Sequence, residues 1–155
     1  MSVIACSEDV PGEAGQAERL WHELERWGEF VEGFASVKRV EGPWPARGSS
    51  VIWVSTPHGR GEVSETIIEH DPGVGSLSEV KDGSMTAKKH VRFLDVGQEL
   101  GAPEGAVRVS VELEYRLNGS LLRHLAIDRL FVKKALGDSI RRELKRFSSE
   151  LRAAR

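Results

Sequence analysis

The chain has 155 residues, a formal net charge of −2, and 39% hydrophobic against 30% charged residues. That is enough to bury one core, with no global basic excess to draw it to nucleic acid. Cys6, the sole cysteine, excludes an intrachain disulfide, and no apolar run approaches a membrane-spanning length. With no basic-then-apolar leader at its start, the chain reads as a single domain over 1–155 in a reducing, cytoplasmic setting.

Ser2 to Glu8 reads as a first strand carrying Val3 and Ile4, interrupted by Pro11, Gly12 and Gly15. A helix follows from Gln16 to Trp27, because Leu20, Trp21, Leu24 and Trp27 fall on one side. Gly28 is expected to end it, and Glu29 to Glu32 to add a short turn with Phe30 and Val31 inside. The texture then changes to strands. Phe34–Val40 is stopped by Glu41-Gly42-Pro43-Trp44-Pro45, and Ser49–Thr56 carries the β-favouring run Val51-Ile52-Trp53-Val54. Glu62–His70 ends at Asp71-Pro72-Gly73, and Val74–Lys81 turns through Asp82-Gly83 into Thr86–Asp95. In the last strand Val107, Val109, Val111, Leu113 and Tyr115 alternate with polar residues, predicting one buried and one wet face.

A long helix from Ser120 to Ala153 closes the chain, after the Asn118-Gly119 turn and with Ser120 as N-cap. Leu122, Leu125, Val132, Leu136, Ile140, Leu144, Phe147 and Leu151 make one apolar stripe. At 1.5 Å per residue it would run about 50 Å, and Gly137 is a natural place for it to bend. Before Gly137 the helix is apolar nearly all round, since Ile127, Leu130 and Phe131 occupy its other side. That second face needs a cover: the first helix, a second chain or a membrane-like ligand. The charge is also uneven. Residues 1–34 hold eight acids against two bases, and residues 121–155 hold ten bases against four acids. A solvated helix face is the simple reading, with attraction between the two ends or to an anionic partner as alternatives.

The order of these elements, with several local pieces, resembles the START-like (SRPBCC) helix-grip superfamily and, within it, the polyketide cyclase/dehydrase and lipid-transport group of bacteria. Leu20-Trp21-x-x-Leu24-x-x-Trp27 is similar to that group's first helix, and Val37-x-x-Val40-x-Gly42 to its next strand. Glu69-His70-Asp71-Pro72 is similar to its strand end, and Leu130-Phe131-Val132 with Leu144-Lys145-Arg146-Phe147 to its closing helix. The resemblance implies an α+β fold with a curved antiparallel sheet of about seven strands, two short N-terminal helices and a C-terminal helix over a largely apolar cavity. It does not imply one reaction, because cyclases, aromatases, carriers and sensors share that fold.

Signatures of nucleophile elbows, phosphate loops and paired-histidine metal sites are absent from the sequence. His124 and Asp128, four apart on the helix, read as an exposed polar pair, so neither metal nor cofactor is expected. In the Glu62–His70 strand both rows are mixed, and which one faces inward stays open. If Val63 and Ile67 do, Glu65 and Glu69 become carboxylates in an apolar pocket and candidates for acid–base work. The Thr86–Asp95 strand is similarly open, with His90 either an inner anchor or outside beside Lys88 and Arg92.

Trp44, Trp53, Phe93, Tyr115, Leu125, Val132 and Leu136 are the expected cavity wall. The phenol of Tyr115 is a candidate partner for a ligand carbonyl. Arg129 projects into the apolar stripe, so it either holds an anionic ligand group or snorkels to water. The catalytic candidates are thus Tyr115, Glu65 and His90, with Arg129 as oxyanion partner. The function expected is binding of a hydrophobic small molecule, polyketide-, lipid- or isoprenoid-like, with cyclisation or dehydration as the possible reaction. A non-catalytic carrier or sensor of lipids or quinones is the second reading. The third is an interaction protein using the basic residues Lys133, Lys134, Arg141, Arg142, Lys145 and Arg146. Monomer and dimer are both compatible with the sequence.

Overall fold

The structure, a computed structural model, describes residues 2–118 and 129–154. Seven strands form one antiparallel sheet: β1 (Ser2–Pro11), β2 (Phe34–Glu41), β3 (Ser50–Ser55), β4 (Glu62–Asp71), β5 (Gly75–Lys81), β6 (Met85–Asp95) and β7 (Ala106–Leu117). Their spatial order is β1-β7-β6-β5-β4-β3-β2. Strands β2 to β7 are therefore a meander, and β1 joins its far edge with Ser2 opposite Tyr115 and Pro11 opposite Ala106. Helices α1 (Ala14–His22), α2 (Trp27–Phe30) and α3 (Arg129–Ala153) cover one face, the inner face.

The first helix is shorter than its sequence pattern predicts. It stops at His22, Glu23 is extended, a 3-10 turn occupies Leu24–Arg26, and Gly28 lies inside α2. Two indoles explain the break. Trp27 Nε1 donates to the Trp21 carbonyl at 2.9 Å, and Trp44 Nε1 donates to the His22 carbonyl at 2.9 Å. They satisfy carbonyls that the end of α1 leaves without helical partners.

Strand β7 follows its pattern, with Val107, Val109, Val111, Leu113 and Tyr115 all buried. Strand β4 does not keep a single parity. Val63, Glu65 and Ile67 face inward, then a bulge between Ile67 and Glu69 shifts the register. Glu69 is left exposed, while His70 pairs with buried Ser76 and turns inward. There His70 Nε2 lies 2.5 Å from Glu18 Oε1, and His22 Nδ1 lies 3.1 Å from the same oxygen. Burial alone would raise the Glu18 carboxyl, but hydrogen bonds and charge from both histidines bring it down to about 2.

The core centres on α1, α2 and the second half of α3. The Trp21 ring lies 5.1 Å from Phe147, and Phe30 lies 5.2 Å from it, both edge-on. Leu144, Phe147 and Leu151 are buried beside them, each worth roughly 2 kcal/mol or more of transfer free energy. The stripe thus continues through the described helix. Ser120, Leu122, His124, Leu125, Ile127 and Asp128 lie outside the described residues.

The two charged ends are joined by ion pairs. Glu32 accepts from Arg142 and Arg146, and Arg26 donates to Glu150. Arg141 pairs with Asp138 on its own helix. Three of the six basic residues expected to serve an anionic partner are thus engaged within the fold.

Candidate functional site

Between the inner face of the sheet and the first half of α3 lies a cavity of about 550 Å³. The sheet contributes Trp53, Val80, Met85, Val111 and Leu113, and α3 contributes Phe131, Val132, Leu136 and Ile140. Trp27, Phe30 and Val31 close the α2 end. Arg60, from the turn between β3 and β4, bonds Asp82 in the turn between β5 and β6 at 2.7 Å, and both line the cavity.

The wall carries a second ion pair. Lys89 on β6 shares the inner row with Ala87, Val91 and Phe93, so the pleat turns its ammonium into the cavity. It lies 2.9 Å from Glu65 Oε1, and Ser78 Oγ donates to that oxygen at 2.8 Å. The ammonium also sits 5.9 Å from the centre of the Trp21 ring, within cation–π range. From the opposite wall, α3 presents Glu143, whose Oε2 accepts from the Glu32 backbone N–H at 3.2 Å.

These two carboxylates are driven in opposite directions. Burial would raise Glu65, but the charge and hydrogen bond of Lys89, with the Ser78 hydroxyl, hold it below the usual carboxylate range. Burial raises Glu143, and the negative charge of Glu65 adds to that effect. Lys89 and the Glu32 N–H oppose it without reversing it. One largely apolar cavity therefore holds the Lys89–Glu65 pair, the Arg60–Asp82 pair and a carboxyl that keeps its proton to higher pH than usual. That division suits proton transfer beside a fixed positive charge.

The expected site residues separate by where the structure puts them. Glu65, Trp53, Val132 and Leu136 line the cavity. Tyr115 is buried on the inner face beside Met85, Ala87 and Leu113, packed next to the cavity without lining it. Trp44 and Phe93 are displaced from the expected wall. Trp44 is held over His22 by its indole N–H, and Phe93 packs edge-on against Trp21 at 6.2 Å. His90 and Arg129 fall elsewhere altogether. The pleat of β6 turns His90 to the outer face, where the Arg92 guanidinium contacts its ring at 3.1 Å. Arg129 is exposed at the first described turn of α3, its charge in water and not in the stripe. Leu125 lies outside the described residues.

Lys89 and Glu143 were missed from sequence, although both carried a signal. Lys89 has the parity of Val91 and Phe93, and Glu143 follows Leu136 by seven residues and Ile140 by three.

No protein-family model matches the chain, and no curated protein matches it. Solved structures do. A protein of Thermus thermophilus superposes with a TM-score of 0.74 at 20% identity, covering 99% of each chain. A START superfamily protein from Mycobacterium smegmatis gives 0.73 at 10% identity, again covering 99% of each. Norcoclaurine synthase from Thalictrum flavum, in complex with dopamine and hydroxybenzaldehyde, gives 0.69 at 11% identity over 99% of this chain and 88% of that one. The chain has the START-like helix-grip fold.

Proposed function

We propose that this START-like domain binds one small hydrophobic molecule with a carbonyl-bearing end in the cavity beneath α3, and that it acts on it by acid–base chemistry. The observation supporting this reading is the placement of Lys89, Glu65 and Glu143 in one largely apolar cavity. A carrier needs no titratable group inside, and burying an ion pair there costs desolvation that apolar residues would avoid. The volume suits a molecule of drug size or smaller. The aromatic amine and aldehyde held by the Thalictrum enzyme belong to that size class.

The reaction that fits is dehydration or cyclisation through an enolate. Lys89 stabilises the negative oxygen as the carbonyl enolises, and Glu65 keeps Lys89 charged and aimed. Glu143, as carboxylate, removes the proton α to the carbonyl. As acid, it returns that proton to the departing β-hydroxyl, which leaves as water while the double bond forms.

Native mass spectrometry of the purified protein checks the binding half, with a co-purified hydrophobic adduct expected. An aryl β-hydroxy ketone checks the chemical half, through the absorbance of the enone formed. Dehydration by the wild type should fall at least about tenfold in Glu143→Gln and Lys89→Met, the scale of losing an acid–base group. Equal rates in all three proteins would leave the carrier reading in place of the enzyme.

A further inference from the structure

A second polar cluster lies outside the cavity, and the proposed reaction does not use it. Glu18 and His22 stand four apart on α1, one helical turn, so their side chains share a face. His70 reaches them from β4 because the bulge after Ile67 reverses the parity of the strand. One carboxylate oxygen and two imidazole nitrogens thereby lie within 4.8 Å of one another, with Glu18 and His22 buried.

We propose that Glu18, His22 and His70 form a binding site for a divalent transition metal, zinc being the ion that this donor set fits best. Two imidazoles and a carboxylate make a borderline-soft set with one negative charge, and zinc takes such ligands tetrahedrally with a fourth position left for water. Ligand atoms about 2.1 Å from a tetrahedral ion stand roughly 3.4 Å apart. Glu18 Oε1 stands 3.1 Å from His22 Nδ1 and 2.5 Å from His70 Nε2, so the carboxylate has to withdraw from both rings for an ion to enter.

The surroundings are those of a held ligand. His22 Nε2 lies 3.2 Å from Ser76 Oγ. His22 Nδ1 faces the Glu18 backbone carbonyl at 3.0 Å as well as Oε1, so it carries the ring proton here, and an ion would have to displace that proton to Nε2, where the Ser76 hydroxyl can accept it. The Trp44 indole N–H fixes the His22 carbonyl, and Ser76 sits opposite His70 in the sheet. His70, with 15% of its side chain exposed, supplies the route in and the side for a water ligand. Metal there would clip α1 to β4 without touching the cavity. An apolar trio would pack as stably at lower desolvation cost, so packing alone does not account for the buried Glu18.

The test uses the full chain, stripped with a chelator and dialysed, and titrated calorimetrically with zinc chloride at neutral pH. The expected result is one zinc per chain, weakened at least about 100-fold in both Glu18→Gln and His70→Gln, since each removes a ligand. His90→Ala, on the outer face, should bind like wild type. Circular dichroism establishes that each variant is folded. Cobalt(II) gives a second readout: an intense visible band in wild type, and the weak octahedral hydrate spectrum in the two ligand variants. Absence of saturable zinc binding by the folded wild type would overturn the proposal. So would equal affinity in wild type and both ligand variants, which would place the ion on surface histidines.

Discussion

The two halves of α3 do different work, and the contrast explains why so long a helix closes so small a domain. From Leu144 to Leu151 its apolar residues fill the core, with Leu144, Phe147 and Leu151 almost without exposure. From Phe131 to Glu143 the same helix roofs a cavity, and Val132, Leu136 and Ile140 are only half-buried. Leu130, at 84% exposed, shows that neither α1 nor the sheet covers the other side of that half. Packing fixes one end of the helix so that the other can span empty space.

Truncation at the packed end should have the largest effect. Phe147→Ala opens a void between Trp21 and Phe30 and is expected to cost about 3–5 kcal/mol in urea unfolding. A loss below about 1 kcal/mol would break the contrast, because Phe147 would then not anchor the helix. Lys89→Met comes next. It strands the Glu65 carboxylate in the cavity wall, at a cost of about 3 kcal/mol for one partner of a buried pair. The double variant Lys89→Met with Glu65→Met should recover most of that loss if the pair is what matters.

The two carboxylates sharpen the contrast through pH. Glu143 has a folded-state pKa above its unfolded value of 4.5, so its protonation favours the fold. The stability it contributes is complete below pH 4.5 and is lost as pH rises through the folded-state value. Glu65 has a depressed folded-state pKa, so its contribution is present above pH 4.5 and is lost as pH falls through the folded-state value. Glu143→Gln should therefore raise the thermal midpoint at neutral pH more than in acid, and a pH-independent change would count against the assignment. The smallest effect belongs to the surface. Glu32→Gln releases Arg142 and Arg146 and should cost about 1 kcal/mol or less, fading with added salt.

Most of the fold was legible from periodicity and turn chemistry. The β7 alternation, the Asp82-Gly83 hairpin and the α3 stripe each announce themselves locally. What escaped depends on contacts distant in sequence. The break of α1 at His22 is set by indoles at positions 27 and 44, neither visible from the helix itself. The bulge in β4 could not be read from alternation, and it alone turns His70 inward toward Glu18. Polar residues in the cavity were found only where their strand raised the question. Val63 and Ile67 in its row single out Glu65, whereas Lys89 and Glu143 stand among charged neighbours on β6 and α3. Charged side chains are so seldom buried that pattern reading assigns them to water by default.

The central claim is that the space under the first half of α3 is a binding site and not loose packing. Titration with a fluorescent hydrophobic probe, compared between wild type and Leu136→Trp, tests it directly, because the indole would fill the cavity from its roof. The account predicts one probe per wild-type chain and at least about tenfold weaker binding in the variant, a loss of roughly 1.4 kcal/mol, with the fold retained. Equal binding in the two proteins would contradict it.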